Sequence, residues 1–123
     1  MTIELPPAAG SPAAAREFVS SVLRHGHVAP ETLDIARLLT SELVTNAVVH
    51  AQTAITVTVR VTDRWVHVAV DDADGSSPSP GDDAGLDTHG RGLMIIARLA
   101  RDWGVEQRPG GKSVWFELRT ARA

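Results

Sequence analysis

The chain contains no cysteine, only a single lysine, and no long hydrophobic run. Without cysteine, neither a disulfide framework nor a thiolate metal site or thiol nucleophile is available. A formal charge of −3 and a pI near 5.9 leave no general basic face. A protein that binds nucleic acid broadly needs such a face, so no direct nucleic-acid partner is expected. No apolar stretch approaches the roughly 20 residues of a membrane span, and the first residues lack the basic-then-apolar pattern of a secretion signal. The expectation is a cytoplasmic protein without a membrane partner. Arginine outnumbers Lys112 eleven to one amid abundant alanine, a composition that suits a GC-rich genome.

What is present is enough for one domain over residues 1–123, long enough to bury a core without staples. "MTIEL" reads as a short edge strand stopped by Pro6 and Pro7. Pro12 suits the first turn of a helix running to about Leu23, with Phe18 and Val22 turned inward. Pro30 opens a longer helix to about Ala51. "AITVTVRV" (54–61) and "WVHVAV" (65–70) alternate with period two and join through Asp63-Arg64, a hairpin. Residues 72–90 are dense in Gly, Ser, Pro and Asp, and connections of that length are usually functional or disordered. "GLMIIARLARDW" predicts a further amphipathic helix, and "GVEQR", a Pro109-Gly110-Gly111 turn and "KSVWFELR" predict a closing hairpin. Helices on one face of a mostly antiparallel, mixed sheet make an α+β fold, a two-layer α/β sandwich.

Within the long helix, "LLTSELVTNAVVHA" raises a specific question. A helical wheel predicts an apolar stripe of Ile35, Leu38, Leu39 and Leu43, with Glu42 and Asn46 near its middle and one turn apart. Burying an unpartnered amide costs roughly 2–7 kcal/mol, and a charge more. Two other features suggest what the pair faces. Asp72 stands where the second hairpin strand runs out, able to accept a donor from a ligand's base. "HGRGL" (89–93) opens a helix after the long loop, where two glycines permit close backbone approach and free N–H groups favour phosphate. Mg²⁺ is typically held by one or two protein oxygens plus phosphate and water. Together these are the parts of a nucleotide site.

At these residues the sequence resembles the GHKL, or histidine-kinase-like, ATPases with the Bergerat nucleotide fold. "ELVTNAVVHA" is similar to their N box, "VDDAD" to the first glycine box and "GRGL" to the second. The short length, the "RGLMIIARLARDWGV" helix and the ending "PGGKSVWFEL" are most similar to bacterial anti-sigma factor serine-protein kinases. The resemblance covers nearly the whole chain from about residue 12. It implies ATP and Mg²⁺ as cofactors, with Asn46 on the metal and Glu42 as the base or orienting group for the acceptor hydroxyl. It implies that Asp72 accepts from the adenine amino group with Ser113 supporting it through a water, and that His50 supports the site. Gly90, Arg91 and Gly92, with Leu93 beside them, would line the phosphates, and residues 74–89, beginning with Asp74, would form a lid. One departure is plain: Asp72 is followed by Ala73, Asp74, Gly75 and Ser76, whereas the usual first glycine box is Asp-x-Gly-x-Gly.

Each feature alone has a plainer explanation. A polar pair in an apolar stripe can be a satisfied packing contact. "GRG" is a common loop-to-helix junction, and it is no dinucleotide fingerprint because it follows a loop and lacks a third glycine. Asp72 could merely cap the loop. Their joint order, with the resemblance, favours the nucleotide site. His25 and His27 lack a third ligand at a helpful spacing for metal. Trp65, Trp103 and Trp115 are expected in the core or at its margins, and Asp82, Asp83 and Asp87 are expected to keep the lid solvated.

Two function classes follow. The first is an ATP-dependent serine/threonine protein kinase that phosphorylates an antagonist protein and controls a sigma factor, with room for a homodimer. The second is a nucleotide-gated protein-binding module with little or no kinase activity. Glu42 favours the first, since phosphoryl transfer needs chiefly positioning, Mg²⁺ and an oriented nucleophile. The irregular first glycine box favours the second.

Overall fold

The computed structural model describes residues 1–74 and 94–120. In chain order these form β1 (Thr2–Leu5), α1 (Ser11–His25), α2 (Pro30–Asn46), a π-helical turn (Ala47–Ala51), β2 (Ile55–Val61) and β3 (Trp65–Asp72). A helical segment over 94–99 precedes β4 (Asp102–Arg108) and β5 (Gly111–Arg119).

The strands pair in the order β1-β2-β3-β5-β4, and every pairing among the described residues is antiparallel. The sheet described is therefore antiparallel rather than mixed. The β2–β3 hairpin follows the alternation in the sequence. Val57, Val59, Val66, Val68 and Val70 are buried, and the register runs from Ile55 opposite Asp72 to Val61 opposite Val66. At the turn, the Thr62 hydroxyl accepts from the Trp65 backbone N–H at 3.0 Å. This is the local bonding expected of a threonine at a turn.

The helices cover one face of this sheet. Ala15, Val19 and Leu23 from α1, and Leu33, Ala36, Leu39, Leu43 and Val44 from α2, form a continuous core with the sheet valines, Ile55, Ile96, Phe116 and Leu118. Each fully buried large side chain contributes about 1.5–3 kcal/mol. Phe18 and Val22 point inward as expected but remain partly buried. Polar contacts set the α1–α2 seam: Arg16 Nη1 donates to Ser41 Oγ at 2.8 Å, and Arg37 Nη1 to Ser20 Oγ at 3.0 Å.

Two sequence expectations need correction. The buried face of α2 is centred on Ala36, Leu39 and Leu43 and includes Thr32 and Thr40. Leu38 is 43% exposed. Glu42 consequently flanks the buried face instead of sitting in its middle. A wheel drawn from large apolar residues missed this because small and β-branched polar residues fill part of the core face. The second correction concerns "RDW". The helical segment ends at 99, Asp102 and Trp103 begin β4, and Arg101 N–H donates to the Glu117 carbonyl at 2.8 Å. Pairing with β5 overrides the helical spacing of those residues. Trp103 then packs on the core face opposite Phe116.

The other sheet face carries the remaining tryptophans. His67 stacks on Trp115, with ring centroids 5.5 Å apart and 18° between planes, and bonds Glu117 Oε2 at 3.0 Å. The Arg101 guanidinium lies 5.4 Å from the centre of the Trp65 ring. Among the described residues no helix is long and apolar enough to cross a membrane.

Candidate functional site

Asn46 is the last residue of α2 and is 8% exposed. Glu42, one turn earlier on the same flank, is half-buried. Immediately after Asn46 the helix widens into the π-helical turn, closed by Gln52 N–H to the Ala47 carbonyl at 3.2 Å, with Gln52 in the left-handed region. Single π turns interrupt the regular ladder and recur at functional sites. Here the turn carries His50, half-buried, just beyond Asn46. The sequence predicted an unbroken helix to Ala51.

Asp72 is the last residue of β3, in line with Val66, Val68 and Val70. Side chains two apart on a strand share a face, so its carboxylate points to the helix side of the sheet. Oδ1 accepts the backbone N–H of half-buried Asp74 at 2.9 Å. Oδ2 lies 3.8 Å from Lys112 Nζ. Burial pushes the Asp72 carboxyl above the ordinary aspartate range. The Asp74 N–H and the Lys112 charge pull it back, while the charges of Asp74 and Asp71 oppose them.

Lys112 is the residue that sequence reasoning missed. It stands directly opposite Asp72 in the β3–β5 register, whereas Ser113 stands opposite Asp71. Ser113 is buried but on the other sheet face, between Asp71 and Glu106. The Arg108 guanidinium spans those two acids, 3.9 Å from Asp71 Oδ2 and 3.2 Å from Glu106 Oε2. Ser113 thus does not share a face with Asp72, whereas Lys112 does. The signal was present: Phe116 and Leu118 point inward, and counting back by two reaches Lys112.

Gly111 keeps the end of the sheet tight, because a Cβ there would collide with the Asp72 carbonyl oxygen. A cavity of about 310 Å³ opens at this end, lined by Asp71, Asp72, Ala73, Arg108, Gly111 and Lys112 among others. Neither Glu42 nor Asn46 lines it, and Glu4, Thr56, Asp71 and Arg108 in its lining share the sheet face of Ser113, away from the helices. α2 packs against both β3 and β5. Asn46, Glu42, Asp72 and Lys112 therefore belong to the helix side of the sheet, and Asp71 to the other. Gly90, Arg91, Gly92 and Leu93, and the expected lid beyond Asp74, lie outside the described residues.

For Mg²⁺, the donor chemistry fits: Asn46 offers a hard amide oxygen with the Glu42 carboxylate four residues earlier. That is the partial protein shell Mg²⁺ usually accepts, the remainder coming from phosphate and water.

Comparison with known proteins supports the same frame. No curated protein matches the chain. Among solved structures, the RsbU and RsbW domains of Rv1364c from Mycobacterium tuberculosis superpose with a TM-score of 0.76 at 17% identity, covering 100% of this chain and 33% of that one. This chain thus spans about a third of that polypeptide. A chain of the SiaB–SiaC complex from Pseudomonas aeruginosa superposes with a TM-score of 0.61 at 17% identity, covering 97% of this chain and 89% of that one. At that identity the two likenesses establish a shared fold. The model of the histidine kinase-like ATPase domain matches residues 5–118, nearly the whole chain, and the protein belongs to that family.

Proposed function

We propose that the chain, as one ATP-binding domain, is a cytoplasmic anti-sigma factor serine/threonine protein kinase. It would use Mg·ATP to phosphorylate an antagonist protein and thereby control a sigma factor. The observation that carries this reading is the Glu42/Asn46 pair on the flank of α2, directly before the π-helical turn. Asn46 would hold Mg²⁺, whose chemistry is to neutralise charge on the phosphates. Asp72 accepts from the base. Glu42 accepts the proton of the acceptor hydroxyl as that oxygen bonds the γ-phosphorus and ADP leaves. A protein partner accords with the SiaB–SiaC structure, in which a protein of this fold is seen in a complex.

The test is incubation with Mg²⁺, radiolabelled ATP and candidate antagonists encoded by neighbouring genes. The expected result is label on a serine or threonine of one candidate. The second reading, a nucleotide-gated binding module, is favoured by the start of the loop. Asp74 and Ser76 stand where the usual box has glycine, and the Asp74 N–H turns back onto Asp72. ATP-dependent partner binding with no transferred label would establish the module instead.

A further inference from the structure

The only lysine of the chain is placed opposite the base-binding acid. Its side chain is 11% exposed and that of Asp72 4%, and both residues are among those lining the sheet-end cavity. An arginine there could chelate the carboxylate through two parallel bonds and occupy it. The ammonium is a compact point charge with three donors. At 3.8 Å it is close enough to balance Asp72 and too far to consume a lone pair of Oδ2 through a direct hydrogen bond. Oδ2 therefore remains able to accept, and the ammonium remains able to donate elsewhere. The pair presents an acceptor and a donor side by side.

Adenine presents the complementary pattern. Its amino group is a donor flanked by a ring-nitrogen acceptor on either edge, N1 on one and N7 on the other. We propose that Lys112 is a base-reading residue: its ammonium donates to the ring nitrogen beside the amino group while Asp72 accepts from that amino group. This rests on the reading of Asp72 as the adenine acceptor and adds a second contact to it.

The test is calorimetric binding of Mg·ATP, Mg·1-deaza-ATP and Mg·7-deaza-ATP to the wild type and to Lys112→Met. The wild type should bind one of the two deaza analogues about tenfold or more weakly than ATP, the size of one hydrogen bond to a charged group. Lys112→Met should lose a similar factor for ATP and bind that same analogue and ATP alike. Because the comparison is between ligands within each protein, a general weakening of the variant cancels, and unliganded melting curves check its fold. A wild type that treats all three nucleotides alike overturns the proposal. So does a Lys112→Met variant that keeps the wild-type preference, which would make Lys112 only a counter-charge for Asp72. A wild type that binds no adenine nucleotide removes the nucleotide reading itself, a result distinct from both.

Discussion

Lys112 Nζ lies 3.8 Å from Asp72 Oδ2 across the β3–β5 pair, and both side chains are nearly closed to solvent. The arrangement sets the pH behaviour of the site. Burial raises the Asp72 pKa above 3.8 despite the Asp74 N–H and Lys112. The folded state therefore holds a proton on Asp72 more readily than the unfolded chain does. The stability contribution of this group is fully present below 3.8 and is lost as pH rises through the raised folded value. Nucleotide binding runs the other way, because the ionised carboxylate is the better acceptor. ATP affinity should fall on acidification at a pH above the usual aspartate range. Asp72→Asn should bind ATP more weakly at neutral pH and lack that step, while the titration of the phosphates stays common to both. Identical pH profiles for wild type and variant would remove Asp72 from the base contact.

On the opposite sheet face, Trp115 lies over Gly104, its partner in the β4–β5 register. A Cβ at position 104 would come within 2.9 Å of three indole atoms. The ring has little freedom to retreat, being stacked on His67, which is itself bonded to Glu117. Gly104→Ala should therefore destabilise by about 1–3 kcal/mol, the usual cost of overpacking. In a Trp115→Leu background the same substitution should cost much less. Equal costs in the two backgrounds, measured by urea unfolding, would refute the steric account.

Much of this fold was legible where periodicity was strong. The β2–β3 hairpin and the starts of α1 and α2 lie close to where alternation and Pro12 or Pro30 put them. Boundaries set by tertiary pairing were not. Asp102 and Trp103 carry helical spacing yet join β4 because β5 supplies the partner. The face of α2 was misjudged because Ala36, Thr32 and Thr40 carry little hydrophobic signal but fill core space. The site was legible as types of residue more than as directions. Asp72, Glu42 and Asn46 are candidates by chemistry and order, whereas the placement of Lys112 rather than Ser113 opposite Asp72 depended on strand parity. The π-helical turn after Asn46 has no local sequence mark comparable to a proline or glycine.

Ligand linkage offers a direct check on the nucleotide. A ligand that binds only the folded state should add roughly 2.7 kcal/mol at a hundredfold excess over Kd. Mg·ATP and Mg·ADP should raise the melting temperature of the wild type, and the increase should shrink in Asp72→Asn at the same concentration. A melting temperature unmoved by saturating Mg·ATP would end the nucleotide reading of all these residues.

The last prediction divides the work of the two polar residues on α2. Asn46 is 8% exposed at the end of the helix, whereas Glu42 is half-buried on its flank. Asn46→Ala should weaken Mg·ATP itself, because the cation loses a protein oxygen, and should weaken ATP without Mg²⁺ much less. Glu42→Gln should leave Mg·ATP affinity within a small factor of wild type and lower phosphotransfer by roughly 10²–10⁴-fold, the range of a general base. Binding of the antagonist should survive in Glu42→Gln, since the nucleotide still occupies its site. Filter binding gives the first quantity and transfer of label the second. A Glu42→Gln protein that transfers phosphate at the wild-type rate would strip Glu42 of the proton-accepting role. An Asn46→Ala protein with equal affinity for ATP with and without Mg²⁺, matched by the same equality in wild type, would show that the amide holds no metal.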